Sequence, residues 1–197
     1  FNLVASRYEA GVFIRFVVQY YSQLPDVSVF VQADTQPSFL ARIHQLHLPT
    51  LKARGISFLP LHNRRVVERN VSFWERWGHA EEVEQCWRKV AKWFGRPELF
   101  HAMSTPTVTF YCCNFFAVTR GNILRHAYWT WLAGYERFIA NGTCLDHGGA
   151  DRDRGKHTIA GTFEHLAHVI WGTSDALYNG PGWTPDFGRR LMAHAVT

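Results

Sequence analysis

Several features that would place a protein in a familiar class at once are missing from this 197-residue sequence. No run approaches the roughly 20 apolar residues of a membrane-spanning helix, and the nearest run, Val12–Tyr21, is interrupted by Arg15. There is no Cys-x-x-Cys pair, which argues against a structural zinc site with paired thiolates. Walker motifs, Gly-rich phosphate loops and the Gly-x-Ser-x-Gly elbow are also missing. The sequence therefore carries no local signature of P-loop, hydrolase or dinucleotide chemistry.

Composition and charge describe a globular chain with a basic surface. Hydrophobic residues make up 47% and charged residues 19%, which is too apolar for a disordered protein. The length fits one domain, which we expect over residues 1–172, followed by a Gly/Pro-rich C-terminal tail over 173–197. Lys and Arg exceed Asp and Glu by 21 − 16 = 5. This net charge favours anionic ligands such as nucleotides, phosphates or anionic glycans.

Cysteines and glycosylation sequons bear on the cellular compartment. The four cysteines (Cys86, Cys112, Cys113 and Cys144) are compatible either with disulfides in a secretory compartment or with buried free thiols. Asn-x-Ser/Thr sequons at 70–72 and 141–143 favour a lumenal or extracellular protein, such as one of the Golgi. Because Phe1 is not a natural start, we interpret the chain as processed or as part of a longer protein, and a membrane anchor upstream remains open.

Hydrophobic patterning predicts helices that alternate with strands. The pattern predicts strands over 27–31, 56–61 and 107–119, and helices over 12–24, 37–48, 80–94, 122–140 and 159–171. Alternation of this kind is typical of an α/β fold with a parallel or mixed sheet, whose ligands bind at the carboxyl ends of the strands.

Asp34 is the first candidate for chemistry, because it follows an apolar strand in the segment Gln32-Ala33-Asp34. Glycosyltransferases of the GT-A type have an Asp-rich motif at this point. A carboxylate there can hold Mg²⁺ or Mn²⁺, which bridges the diphosphate of a nucleotide sugar and stabilises the charge that develops on the leaving group. The first carboxylate of a true Asp-x-Asp motif is replaced here by the Gln32 amide. Asp34 can also act simply as the cap of the following helix.

Three segments in order resemble an uncharacterised, glycosyltransferase-like family of domains of unknown function. They are the segment from Phe16 through Leu24-Pro25-Asp26 to the strand end Phe30-Val31-Gln32-Ala33-Asp34, then Phe115-Phe116-Ala117-Val118-Thr119-Arg120, then Glu164-His165-Leu166 through Ile170-Trp171-Gly172. The resemblance spans residues 1–172 and implies a GT-A-like three-layer sandwich, with helices on both faces of a central, mixed or mostly parallel sheet. It also implies a nucleotide-sugar donor, a glycan or glycoprotein acceptor, and Mn²⁺ or Mg²⁺ as cofactor.

The resemblance suggests a role for each candidate residue. Glu164 is the expected catalytic base that deprotonates the acceptor hydroxyl, and Asp34 is the expected metal ligand. Gln32 and Arg120 are expected to bind substrate, Arg120 through its fork of donors on a diphosphate. Arg7 and Glu9, at the end of the expected opening strand, are further candidates for contacts with the nucleotide. Gly121 replaces the acidic residue that the family has after this arginine.

Other residues and other functions stay open at this level. Asp146, Asp151 and Asp153 are alternative bases, and His44 with His47, or His165 with His168, have the i, i+3 spacing that can share a helix face. A second hypothesis is a non-catalytic glycan-binding or scaffold domain on the same fold. A third is a nucleic-acid-binding module, but the basic residues are scattered and match no known motif, so we expect no nucleic-acid partner.

Overall fold

The computed structural model describes residues 8–32, 35, 37, 57–61, 66–70, 80–97, 107–111, 115–141, 144 and 161–172. The elements below belong to those ranges. Within them, no helix is long and apolar enough to cross a membrane.

Helices outweigh strands in these ranges, and five α-helices have defined bounds. They are α1 (Tyr8–Tyr20), α2 (Ala80–Trp93), α3 (Arg120–Leu124), α4 (Tyr128–Gly134) and α5 (Ala167–Trp171). A 3₁₀ turn, Tyr21–Gln23, follows α1, and a π-helical turn, Tyr135–Ala140, continues α4. A helical stretch over 161–165 leads into α5. The chain leaves the α1 region at Leu24-Pro25, as expected for a proline that cannot continue a helix.

The strands form two small antiparallel sheets. β1 (Val27–Phe30), β2 (Phe58–Pro60) and β5 (Phe116–Thr119) form a three-stranded sheet in the order β1-β5-β2. β5 runs antiparallel to both neighbours. β3 (Val66–Asn70) and β4 (Thr107–Tyr111) form a separate antiparallel pair.

The predicted GT-A-like sandwich with a central parallel or mostly parallel sheet is therefore wrong. The described part of the chain is mostly helical, and its larger sheet has only three strands, which are antiparallel. The expected single strand over 107–119 is two strands, β4 and β5, which belong to different sheets. The run has no glycine or proline, and Asn114 is the one amide between the two strands, so a single strand was predicted across the division. The strand partners are then set by contacts distant in sequence, which local patterning does not encode.

An aromatic core joins the sheet to the helices. Trp171 of α5 stacks on Trp131 of α4, with ring centroids 4.7 Å apart. The same indole lies 5.1 Å from the ring of Phe30 on β1 and 5.5 Å from that of Phe116 on β5. Aromatic pairs at these distances add to the free energy of burial. Most of the aromatic residues in the described ranges are therefore part of the packing.

The helix predicted over 80–94 is confirmed, including its buried face. Every residue of the predicted apolar stripe is buried, namely Val83, Cys86, Trp87, Val90 and Phe94. Cys86 forms a disulfide with Cys144, which lies shortly after the π-helical turn. Of the two alternatives, disulfides or buried free thiols, these two cysteines therefore form a disulfide. It ties α2 to the chain that follows α4.

Candidate functional site

The register of the central sheet separates its two ends. Val27 of β1 pairs with Thr119 of β5, and Phe30 pairs with Phe116. The chain that leaves β1 toward Gln32 is therefore at one end, which we call the Gln32 end. The helix α3 begins at the other, which we call the Arg120 end. The predicted site residues are distributed between these two ends.

At the Gln32 end, the backbone is held by two hydrogen bonds to one carbonyl. Gln32 is half-buried, and its carbonyl oxygen accepts from the backbone N–H of Thr35 at 3.2 Å and from the Thr35 hydroxyl. The side-chain amide oxygen of Gln32 is a neutral, hard ligand of the kind that suits Mg²⁺ or Mn²⁺. Asp34, the predicted metal ligand, lies outside the described residues.

At the Arg120 end, Arg120 begins α3 and is exposed. Its backbone N–H donates to the carbonyl of Asp26 at 2.9 Å. The strand from Val27 to Phe30 separates Asp26 from Gln32 by about 10 Å along its length, and Gln32 is two residues beyond the end of that strand. The structure thus does not bring Arg120 and Gln32 to one position.

The remaining predicted residues lie on helices or outside the described ranges. Glu164 is half-buried in the helical stretch over 161–165. Glu9 is half-buried in the first turn of α1. The neighbour of Glu164, His165, is buried, with its ring 5.5 Å from that of Trp87. The other predicted residues lie outside the described ranges: Arg7, His44, His47, Asp146, Asp151 and Asp153.

Asn122 connects three segments at the Arg120 end. Its buried Nδ2 group donates to the carbonyl of Ser57 at 3.2 Å and to the carbonyl of Trp171 at 3.0 Å. Asn122 thereby links the start of β2 to the end of α5. Because Asn122 follows Arg120-Gly121 in a polar stretch, the sequence carried no signal that its amide is buried and needs partners.

The two residues after α3 hold the end of α5. Arg125 donates through Nη2 to the carbonyls of Val169 at 3.3 Å and Ile170 at 3.4 Å. His126 Nε2 lies 3.2 Å from the Ile170 carbonyl, so this nitrogen carries the hydrogen. The last carbonyls of a helix lack partners within the helix, and a cation near them is favourable. Sequence reasoning missed both residues.

His126 is held in its neutral form. Burial, together with the adjacent Arg125 charge, lowers the pKa of its imidazole to about 4, although the hydrogen bond to Ile170 acts in the opposite direction. The ring also packs edge-on against Phe94 at 5.1 Å and Trp131 at 5.5 Å. His126 is therefore a packed hydrogen-bond donor over the neutral pH range.

Three aromatic rings run outward from this point to solvent. The Tyr21 hydroxyl donates to the carbonyl of His126 at 2.8 Å, and its ring lies 5.5 Å from that of Tyr128. The Tyr128 ring lies 5.3 Å from that of Trp129, whose side chain is 71% exposed. We call Tyr21, Tyr128 and Trp129 the aromatic ladder. The sequence showed an abundance of aromatics but not which of them are exposed.

Among the described residues, no group of three or more His, Cys, Asp or Glu side chains is placed to bind a metal ion, at the Gln32 end or at the Arg120 end. The fit of Mn²⁺ or Mg²⁺ at the Gln32 end depends on Asp34, with the Gln32 amide oxygen as a second donor of suitable hardness.

Comparison with family models assigns the chain to a family. The model described as "Protein of unknown function (DUF3431)" matches residues 4–179, and the chain belongs to this family. No curated protein and no solved structure matches it.

Proposed function

We propose that this chain is a glycosyltransferase-like domain that transfers a sugar from a nucleotide-sugar donor to a glycan or glycoprotein acceptor, with Mn²⁺ or Mg²⁺ as cofactor. The observation that supports the proposal is the convergence of the three motif segments. β1 and β5, which carry the first two segments, are paired neighbours in one sheet. Trp171 of the third segment packs on Phe30 and Phe116 from the other two.

In this proposal the donor binds at the Gln32 end. Asp34 holds the metal, and the Gln32 side chain contributes an amide oxygen to the metal or hydrogen bonds to the donor. The metal, when bound, stabilises the charge on the departing diphosphate. Glu164 takes the proton from the acceptor hydroxyl, while Arg7 and Glu9 contact the nucleotide.

Arg120 is proposed to bind an anionic group of the substrate. Its place at the far end of β5 means that it does so at a different part of the ligand from Gln32. The same separation favours the second candidate, a non-catalytic glycan-binding domain, because a compact diphosphate cannot contact both residues.

A secretory or extracellular location is part of the proposal. The buried Cys86–Cys144 disulfide supports it, because disulfides persist in oxidising compartments and are rare in the cytosol.

Thermal unfolding with nucleotides tests the donor site. Wild type and Asp34→Ala are unfolded with a panel of nucleoside diphosphates, with and without Mn²⁺. A ligand at 100 times its dissociation constant is expected to stabilise the folded state by about 2.7 kcal/mol. We expect a shift with one nucleotide that requires Mn²⁺, is lost on chelation and is lost in Asp34→Ala.

Asp26→Ala is the matched control, since it removes an exposed carboxylate from the opposite end of β1. It should keep the shift. A nucleotide shift that survives in Asp34→Ala would place the donor elsewhere. If no nucleotide gives a shift, the transferase proposal is wrong and the non-catalytic candidate takes its place.

A further inference from the structure

The π-helical turn is followed by a solvent-exposed asparagine. The turn covers Tyr135–Ala140, and the backbone N–H of Asn141 donates to the carbonyl of Glu136 at 2.8 Å. Asn141 itself is exposed. The backbone of this residue is therefore held by the turn, while its side chain is open to solvent.

The inner side of the turn is packed and its outer side is polar. Phe138 and Ile139 are buried in the core, whereas Glu136 and Arg137 are exposed. A bulky polar group attached to Asn141 can therefore extend into solvent without displacing the buried side chains of the turn.

Asn141 is also the first residue of a glycosylation sequon. The sequence reads Asn141-Gly142-Thr143, and the middle residue is not the proline that would prevent modification. A three-residue motif often occurs by chance, so the motif alone does not establish a site. The exposure of Asn141 in the folded protein is an independent observation, and a bulky surface glycan requires it.

A disulfide adjoins the sequon. Cys144 follows Thr143 directly and is bonded to Cys86 of α2. Disulfides form and persist in the secretory pathway, which is also where asparagine-linked glycans are added. The exposed acceptor therefore lies next to a bond that is typical of the compartment in which the acceptor is modified.

The other sequon has a different structural context. Asn70 is the last residue of β3, and its backbone pairs with Thr107 of β4 in the antiparallel ladder. Glycosylated asparagines are typical of surface loops. The position of Asn70 in a ladder therefore makes it the weaker of the two acceptors.

We propose that Asn141 carries an N-linked oligosaccharide. In the transfer reaction, Nδ2 of Asn141 attacks the anomeric carbon of an oligosaccharide that is linked to a lipid diphosphate. A C–N bond forms and the C–O bond to the diphosphate breaks. The lipid diphosphate leaves with the bonding electron pair, and a base of the transferring enzyme takes one proton from the amide. This chain is then the acceptor in a reaction that another enzyme catalyses, so the inference goes beyond the proposed function and rests on it only for the secretory location.

Mass spectrometry of the glycosylated asparagines tests the site. The full 197-residue chain is expressed behind a cleavable secretion signal in a eukaryotic host, and both the secreted and the retained protein are digested. Peptide N-glycosidase in heavy-oxygen water converts each glycosylated asparagine to a labelled aspartate. We expect the label at Asn141, and we expect the intact chain to lose the mass of a glycan on treatment with the enzyme.

Variants of the two sequons identify the acceptor. Asn141→Gln and Thr143→Ala should each abolish the modification at this sequon, because the motif requires both the asparagine and the hydroxyl. Thr143→Ser is the matched control and should keep the label at Asn141, as should Asn70→Gln. Asn141 is exposed, so Asn141→Gln should fold, and the Cys86–Cys144 disulfide in a non-reducing digest reports that it does.

Three outcomes would overturn the proposal. They are an unmodified Asn141 in a chain that carries the Cys86–Cys144 disulfide, a glycan found only at Asn70, and an equal mass loss in Asn141→Gln and wild type. A chain with neither the glycan nor the disulfide would reject the secretory location as well. A Mn²⁺-dependent nucleotide shift in a chain that is not modified at Asn141 would leave the transferase proposal intact and reject this one. A glycan at Asn141 without any nucleotide shift would do the reverse.

Discussion

Removal of the Cys86–Cys144 disulfide should cost a large part of the stability of this chain. The two cysteines are 58 residues apart in sequence. For a loop of that length, the loss of denatured-state entropy corresponds to about 4 kcal/mol at 25 °C. Domains of this size are stable by only about 5–15 kcal/mol in total. The double variant Cys86→Ala, Cys144→Ala should therefore unfold at much lower urea concentration than the wild type.

Urea unfolding followed by tryptophan fluorescence measures this loss. Both side chains are buried, so alanine is a better replacement than serine, whose hydroxyl would need a partner. Each single variant breaks the same cross-link and should lose a similar free energy. Dithiothreitol should destabilise the wild type and leave the double variant unchanged. The reasoning is refuted if the double variant is within about 1 kcal/mol of the wild type, which is well below the loop-closure value.

Three further perturbations test the packing around the Arg120 end. The pKa of His126 lies below its ordinary value of 6.5, so the unfolded state binds more protons between pH 6.5 and 4. Stability should fall as pH drops through that window, by at most about 3 kcal/mol from this group, and less steeply in His126→Gln. Asn122→Asp places a carboxylate against two carbonyl oxygens, so at pH 7 it should lower the free energy of unfolding more than Asn122→Ala does. The opposite order in urea unfolding would contradict the assigned hydrogen bonds. Gly134→Ala places a Cβ 3.1 Å from Trp93 Nε1 and should lower the melting temperature. The control is Gly121→Ala, which meets nothing within 4 Å and should raise it slightly.

Local elements were predictable from the sequence where one face is buried. The α2 stripe and the strand after Pro25 were both predicted correctly, because helical and strand periodicity report directly on burial. The helix predicted over 122–140 is interrupted between Leu124 and Tyr128. The sequence there contains neither proline nor glycine, so nothing local marks the break. The break allows a tertiary contact, because it places Arg125 and His126 against α5.

Strand pairing and the candidate site needed information that the sequence does not display. The run 107–119 contains no glycine or proline, and nothing in it indicates that its two halves join different sheets. Asn122 follows Arg120-Gly121 in a polar stretch, and its two carbonyl partners lie 65 and 49 residues away. The exposure of Trp129 likewise depends on which other aromatic rings are buried in the core, and this is set by the tertiary fold. The candidate residues at the Gln32 end remain predictions that rest on the motif resemblance.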